Sequence, residues 1–348
     1  MIRLIYITDI HDALKELRQL LLHTEADLYL FSGDILYHAF YDEAKVYDFV
    51  CLQEEFYTYA NQIKSDLVPY DLATEILRST EGQYASEMEL KAAEYRLLFH
   101  RASRTMKEKY SVIEDLIQKY SDASTFVLPG NYDIDLRYTA LSARNLHKNT
   151  MYFGDLVFAG YGGAPIATSG IPEKLAVPYQ EDGRGAEFYS EPYDFFRETK
   201  PDVLVLHNPA YGYFDRIATK GHIGSSGIRN YLDDNFATLV LSGHIHEDYG
   251  VLMKTNGTIF LNPSNFGQVD SSIGYQGGGM FAEILINPDT KQVEQIKLNR
   301  LKDGKVFNLL LIEVEDNQLK ATALNDADQS IVNLSNFCRD HTGAPIAL

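Results

Sequence analysis

The sequence predicts an α/β protein whose buried strands end in polar, ligand-bearing turns. Three observations carry that reading. Short apolar runs rich in β-branched residues stop at Asp, Asn or His, segments of helical spacing lie between them, and the closing part of the chain alternates like antiparallel strands.

Residues 2–8 form the first apolar run, which ends in Thr8-Asp9-Ile10-His11, and 13–21 then carries apolar residues at helical spacing. Asp9 and His11 therefore stand at a strand's carboxyl end. Side chains two apart in an extended segment share a face, so both can aim at one ion. A second buried strand, 27–31, is closed by Ser32-Gly33-Asp34. Alone, such an Asp is more often a turn or cap residue than a ligand.

From residue 37 to about 120 the chain is charged and helical. Val46, Phe49, Val50, Phe56, Ala60 and Ile63, and then Tyr84, Met88, Tyr95, Leu98, Ala102 and Met106, recur at amphipathic spacing, with Pro69 between two helices. Ten of the 24 tyrosines fall here. They can line a substrate cleft, but aromatic stripes at this spacing are more often core.

A helix over 111–120 leads into a strand over 124–128 and the turn Pro129-Gly130-Asn131-Tyr132-Asp133. Strands near 151–153 and 156–161 run into Gly160-Tyr161-Gly162-Gly163, too weak a signal for a phosphate cradle, and a loop-rich segment follows to about 190. The run 201–206 is another buried strand with His207 at its end, and a capped helix near 225–235 precedes Leu239-Val240-Leu241-Ser242-Gly243-His244-Ile245-His246. After 257–263, the segments 281–286, 293–298, 308–314 and 318–324 read as antiparallel strands joined by Pro288-Asp289 and Asp316-Asn317 turns, expected to complete a second sheet. The stretch 325–348 shows no chemistry and reads as a strapped-on tail. The expected organisation is a core over 1–300, interrupted by a mainly helical insertion over 37–120, and a C-terminal β extension and tail over 301–348.

Composition narrows the function. With 348 residues, 45% hydrophobic, the chain can bury one large core and an accessory piece. Cys51 and Cys338 form no CxxC pair, so neither a disulfide framework nor a thiolate cluster is expected, and a cytoplasmic setting is. The apolar run at the amino terminus is too short for a signal peptide, and no window is long enough for a membrane span, so no membrane contact is expected. A balance of 31 Lys+Arg against 49 Asp+Glu, net −18, disfavours duplex nucleic acid and repels anions. A phosphate substrate would need strong local positive charge, which bound divalent cations supply.

Asp9/His11, Asp34, Asn131, His207 and His244/His246 thus close successive strands. Each signal is weak alone and their recurrence is not. In this order D-x-H, G-D, G-N-x-D, an apolar strand ending in His, and G-H-x-H resemble the calcineurin-like metallophosphoesterase family, over roughly 2–36 and 121–300. The resemblance implies a four-layer α/β/β/α sandwich, with 37–120 as a helical cap insertion. It implies one metal held by Asp9, His11 and His246, another by Asn131, His207 and His244, and Asp34 bridging them. Imidazole with carboxylate suits Mn, Fe, Zn, Co or Ni better than Mg or Ca. Such a pair, about 3.5–4 Å apart, lowers the pKa of a bridging water and clamps the oxygens of an in-line displacement, so phosphate-ester hydrolysis is the expected activity.

Two departures from the family pattern matter. The usual G-N-H-D reads Gly130-Asn131-Tyr132-Asp133, so a tyrosine stands where the family has the histidine that serves the phosphate and leaving group. A phenol, with a reference pKa near 10, is a poorer acid near neutrality than imidazole. Tyr132, Asp34 and Asn131 are the catalytic candidates, and the resemblance links members lacking that histidine to phosphodiesters. The second departure is the spacing of 97 positions from Asp34 to Asn131, which houses the insertion. The expected partner is a small phosphate ester, nucleotide-like esters included. His222, in a loop between two ligand strands, is a candidate substrate contact and otherwise a plain surface histidine; His38 is a weaker one. Competing readings are a non-catalytic metal-binding interaction scaffold of the same fold, like the retromer subunit, and a phosphomonoesterase or nuclease. A scaffold would not need all four histidines, and a nuclease would need a basic groove.

Overall fold

The first apolar run folds as β1 (Ile2–Thr8), buried everywhere except Arg3, as a strand covered on both faces must be. The structure is a computed structural model that describes residues 1–80, 82–166, 168–182, 188–271, 274–326, 334–346 and 348. After β1 come α1 (Leu14–His23), β2 (Leu28–Ser32), α2 (Glu43–Gln62), α3 (Pro69–Arg78), α4 (Ser86–Tyr120) and β3 (Ser124–Leu128). There follow β4 (Asn149–Phe153), β5 (Leu156–Tyr161), α5 (Glu191–Thr199), β6 (Val203–Leu206), α6 (Ser226–Asp234), β7 (Leu239–Leu241), β8 (Gly250–Met253) and β9 (Ile259–Asn262). The chain closes with β10 (Met280–Asn287), β11 (Gln292–Lys302), β12 (Lys305–Glu315), β13 (Gln318–Ala323) and β14 (Cys338–Arg339).

Two seven-stranded sheets result, ordered β13-β12-β11-β10-β1-β2-β3 and β14-β8-β9-β7-β6-β5-β4. In the first, β1, β2 and β3 run parallel; in the second, β5, β6, β7 and β9 do. Alternation along each strand sends successive side chains to opposite faces, and this sorts the core into three interlayer spaces. Leu4, Tyr6, Leu28 and Leu30 meet Phe158, Val205, Leu241 and Leu261 between the sheets. Ile5, Ile7, Tyr29 and Phe31 face Leu17 and Leu20 of α1 and Met106 and Ile113 of α4. Ala159, Leu204 and Val240 face Phe196 of α5 and Ile228 and Leu232 of α6. The fold is thus the expected four-layer α/β/β/α sandwich.

The closing strands correct one expectation. They do not complete a second sheet but extend the first, because β10 pairs antiparallel with β1 from Ile2↔Ile286 to Tyr6↔Ala282. Hydrophobic alternation shows that a segment is a strand, but not which free edge it covers. The segment around 190, read as loop, runs directly into α5, whose start is marked by the Ser190 cap and by Pro192 in the first turn. No expected strand corresponds to β8 or to β14, where Cys338 is buried and pairs with Val251. Of the tail over 325–348, residues 327–333 and 347 lie outside the described residues.

The helix expected over 111–120 is the end of α4, 35 residues long and thus roughly 52 Å. That exceeds any strand it packs on. Its second half, with Met106, Tyr110, Ile113 and Ile117, covers the first sheet, while Ala92, Tyr95 and Phe99 in its first half pack with Phe49 and Phe56 of α2 and Leu72 and Ile76 of α3. Tyr95 and Tyr110 are fully buried, so these two of the ten tyrosines are core.

The Gly160–Gly163 turn is no phosphate cradle. Gly162 N–H donates to His147 Nδ1 at 2.9 Å and Gly163 N–H to the Pro129 carbonyl at 2.9 Å. His147 is 6% exposed, and burial, then the neighbouring Lys148 charge, pushes its pKa down from 6.5 to about 4. The unfolded chain therefore takes up this proton first as pH falls. The contribution of the neutral ring, up to about 3 kcal/mol, is whole above about pH 6.5 and lost towards pH 4. The urea midpoint should accordingly drop between about pH 7 and pH 4.5, and drop less in His147→Gln; equal slopes in the two proteins would show that His147 is not the titrating group.

Candidate metal centre

The ligand candidates lie on loops at the carboxyl ends of β1, β2, β3, β6 and β7, where the two sheets face each other. Four of them hold the left-handed backbone: Asp9 (φ 54°), His11 (φ 46°), Asp34 (φ 44°) and His244 (φ 67°). Non-glycine residues there are uncommon and persist where surrounding contacts dictate them, often at functional sites. The contacts here are specific. His11 N–H donates to Asp34 O at 2.9 Å, Asp9 N–H to Gly33 O at 3.1 Å, and Tyr132 N–H to Asp34 Oδ1 at 2.9 Å. His244 N–H reaches the Asp9 carboxylate from the other sheet at 3.1–3.2 Å, and Thr8 Oγ1 donates to Asp9 Oδ2 at 2.7 Å.

These loops converge into two donor groups. Asp9, His11 and His246 form one, Asp34, His207 and His244 the other, with the ligand atoms of each within 4.8 Å of one another. In the first, His246 Nε2 lies 3.1 Å from Asp9 Oδ1 and 3.3 Å from His11 Nε2. In the second, His207 Nε2 lies 3.3 Å from Asp34 Oδ1 and 3.0 Å from Asn131 Oδ1. Asn131 Nδ2 donates to Thr168 Oγ1 at 2.8 Å, which leaves its oxygen for the centre. His207 Nδ1 faces Ser32 O at 3.2 Å, so Nε2 is the atom free to ligate, as in metal-binding imidazoles whose other nitrogen is held by a carbonyl.

The donor chemistry fits a divalent ion. Two imidazole nitrogens at 3.3 Å beside a carboxylate can share a proton only in part, whereas a cation satisfies all three. Electrostatics agrees: burial alone would raise Asp9, yet the His246 hydrogen bond and the surrounding histidines hold it well below the carboxylate range. Burial likewise opposes charge on His207, but Asp34 outweighs it and lifts the pKa to about 9. His244, buried and beside His207, falls to about 3.

Tyr132 sits against His11, ring centroids 5.9 Å apart, and Tyr37 flanks both at 4.9 Å from His11 and 5.5 Å from Tyr132. Burial, then the Asp34 charge, pushes the Tyr132 phenol up to about 12, so it is a neutral donor. The His38 ring packs tilted against Tyr37, centroids 4.3 Å apart, but joins neither donor group. His222 is also outside them, its Nδ1 paired with buried Asp215. A cavity of about 880 Å³ opens beside His11, lined in part by Phe266, Gln268, Tyr275, Gln276 and Arg300.

Several residues here had no separate reading. Asp133, within the Gly130–Asp133 turn, is buried and accepts from the N–H groups of Gly130, Ile35 and Leu36 at 2.7, 3.0 and 3.2 Å. Its place in the G-N-x-D motif was the available signal. Thr168 carries none, lying in a loop without periodicity, and Tyr37 is legible only as one of the ten tyrosines of the 37–120 stretch.

The sequence profile described as calcineurin-like phosphoesterase matches residues 98–248 of the 348-residue chain, and this similarity supports a metal-dependent phosphoesterase. The match contains Asn131, His207, His244 and His246; Asp9, His11 and Asp34 lie outside it and stand on the geometry. One solved structure is similar in fold at 18% identity and a TM-score of 0.52, the alignment covering 86% of this chain and 99% of that one. More distant ones are TT1561 of Thermus thermophilus (13% identity, TM-score 0.42, 86% and 99% covered) and zinc-complexed Vps29 from Entamoeba histolytica (10%, 0.33, 93% and 99%). No curated protein matches the sequence.

The close approach of the loops requires glycine at 33, where φ is 81° and a Cβ would enter the His207 imidazole. Gly33→Ala should therefore destabilise the fold by more than about 1 kcal/mol and impair metal uptake. A variant with the wild-type melting temperature and metal content would show that this packing is dispensable.

Proposed function

We propose that the chain is a dinuclear metal-dependent phosphoesterase that favours phosphodiesters. The observation that carries this is the pair of facing three-donor groups at the strand ends of both sheets. Asp9, His11 and His246 would hold one ion and Asn131, His207 and His244 the other. Asp34 would bridge, since its carboxylate lies against His207 and is also the largest charge acting on His11. Ions of the Mn, Fe, Zn, Co or Ni kind would activate water and offset phosphate charge at this acidic chain's site.

The chain's own groups do the rest. Asn131, its amide fixed by Thr168, presents an oxygen. Tyr132 offers a neutral O–H that can donate to a phosphate oxygen but gives up a proton poorly. Protonation of the departing oxygen matters most for a basic alkoxide and least for a phenolate. A phosphodiester also carries less negative charge than a monoester dianion, which suits a chain of net −18. The cavity beside His11, lined in part by Phe266 and Tyr275, gives the second organic group a place to rest. A small ester, nucleotide-like ones included, and a cytoplasmic setting belong to the same proposal. The buried, convergent histidines favour an enzyme over a scaffold, and the acidic charge disfavours a nuclease of duplex substrates.

Under Mn, Co, Ni, Zn and Mg in turn, an aryl phosphodiester should be cleaved faster than the matching monoester. Tyr132→His should raise activity on alkyl esters more than on aryl ones, roughly tenfold or more for a restored acid. Alkyl monoester hydrolysis with diesters untouched would overturn the diester preference and leave the metal site intact. Asp34→Asn should weaken both metals; loss of one alone would contradict bridging. His222→Ala with unchanged kinetics would leave that residue to Asp215 and the surface.

A further inference from the structure

Two consecutive residues of α4 stand behind the ligand loops. Lys109 is 3% exposed, and its Nζ donates at 2.8 Å both to Asp12 Oδ2 and to the His38 carbonyl. The same Asp12 oxygen accepts from the N–H groups of Tyr37 and His38 at 3.1 and 3.2 Å. Asp12 follows His11 directly and is itself left-handed, φ 62°. Tyr110, fully buried, donates to Asp133 Oδ1 at 2.7 Å, and Asp133 in turn holds the N–H groups of Gly130, Ile35 and Leu36. One stretch of helix thus reaches the loops that carry Asp9 and His11, Asp34, and Asn131.

Helix packing does not ask for these residues. The neighbouring buried positions of α4 are Met106 and Ile113, and a buried ammonium or hydroxyl is tolerated only when partnered. The far half of the insertion reaches the remaining side of the centre. Gln53 Nε2 donates to Ile171 O at 2.9 Å and Tyr95 Oη to Glu173 Oε2 at 2.7 Å, which holds the loop whose Thr168 orients Asn131.

Resting on the metal-centre reading above, we propose that Lys109 and Tyr110 are positioning residues, and that docking of the helical insertion sets the metal affinity of the site. They touch neither ion nor substrate. They fix the backbone from which the ligands project, as outer partners of metal ligands do. Lys109 acts on the side of Asp9 and His11, and Tyr110, through Asp133, on the side of Asp34 and Asn131.

The test uses purified full-length protein loaded with Co(II), read by chelator competition and by the visible absorption of the bound ion. Tyr110→Phe removes one oxygen and Lys109→Met one charge at similar volume. Each should stay folded by circular dichroism, bind Co(II) roughly tenfold to hundredfold more weakly, and show a changed absorption spectrum. Lys109→Arg should restore part of the affinity. Ile113→Val, a core change on the same helix that holds no ligand loop, should lower the melting temperature without moving the affinity. If Lys109→Met fails to fold, Tyr110→Phe alone decides. Wild-type affinities and spectra in both variants, or an equal loss in Ile113→Val, would overturn the proposal while the metal reading stands. Wild-type protein that binds no Co(II) would overturn both.

Discussion

The structure depends on hydrogen bonds that join its two sheets directly beneath the ligand loops. Tyr6 Oη on β1 donates to the Ser242 carbonyl at 2.9 Å, Ser32 Oγ at the end of β2 donates to the Leu206 carbonyl, and His207 Nδ1 returns to the Ser32 carbonyl. His244 N–H then crosses to the Asp9 carboxylate. Every participant is polar and most are buried between apolar layers, so each must be partnered or cost the fold dearly. That requirement fixes the relative height of the sheets. Once the height is fixed, ligands from five separate strands fall into two compact groups.

Much of this was legible in the sequence, for a physical reason. A strand buried on both faces must be almost wholly apolar, so the first polar residue after it marks the edge of the sandwich, and Asp9, Asp34, Asn131, His207 and His244 all sit at such an edge. The four-layer core was legible only through the motifs, since periodicity cannot say which strands pair. The closing strands show this: their alternation was plain, but their attachment to β1 rather than to a second sheet is a long-range choice. The outer supports left no local trace. Lys109 lies 97 residues from Asp12 in sequence and reads there as one more charge on an amphipathic helix.

The substitution at position 132 changes the character of the centre without disturbing its frame. The Tyr132 backbone donates to Asp34, and its neighbour Asp133 clamps the loops, so these supports do not use the side chain at 132. The side chain instead joins an aromatic wall with Tyr37 and His11. A phenol supplies a proton less readily than an imidazole and adds aromatic surface, and the proposed diester preference rests on these two changes.

The central claim, that two donor groups hold two ions, is tested most directly by anomalous diffraction from crystals grown with Mn(II). The account predicts two anomalous peaks per chain about 3.5–4 Å apart, one within reach of Asp9, His11 and His246, the other of Asn131, His207 and His244, with Asp34 between them. A single peak, or peaks only elsewhere on the surface, would contradict it.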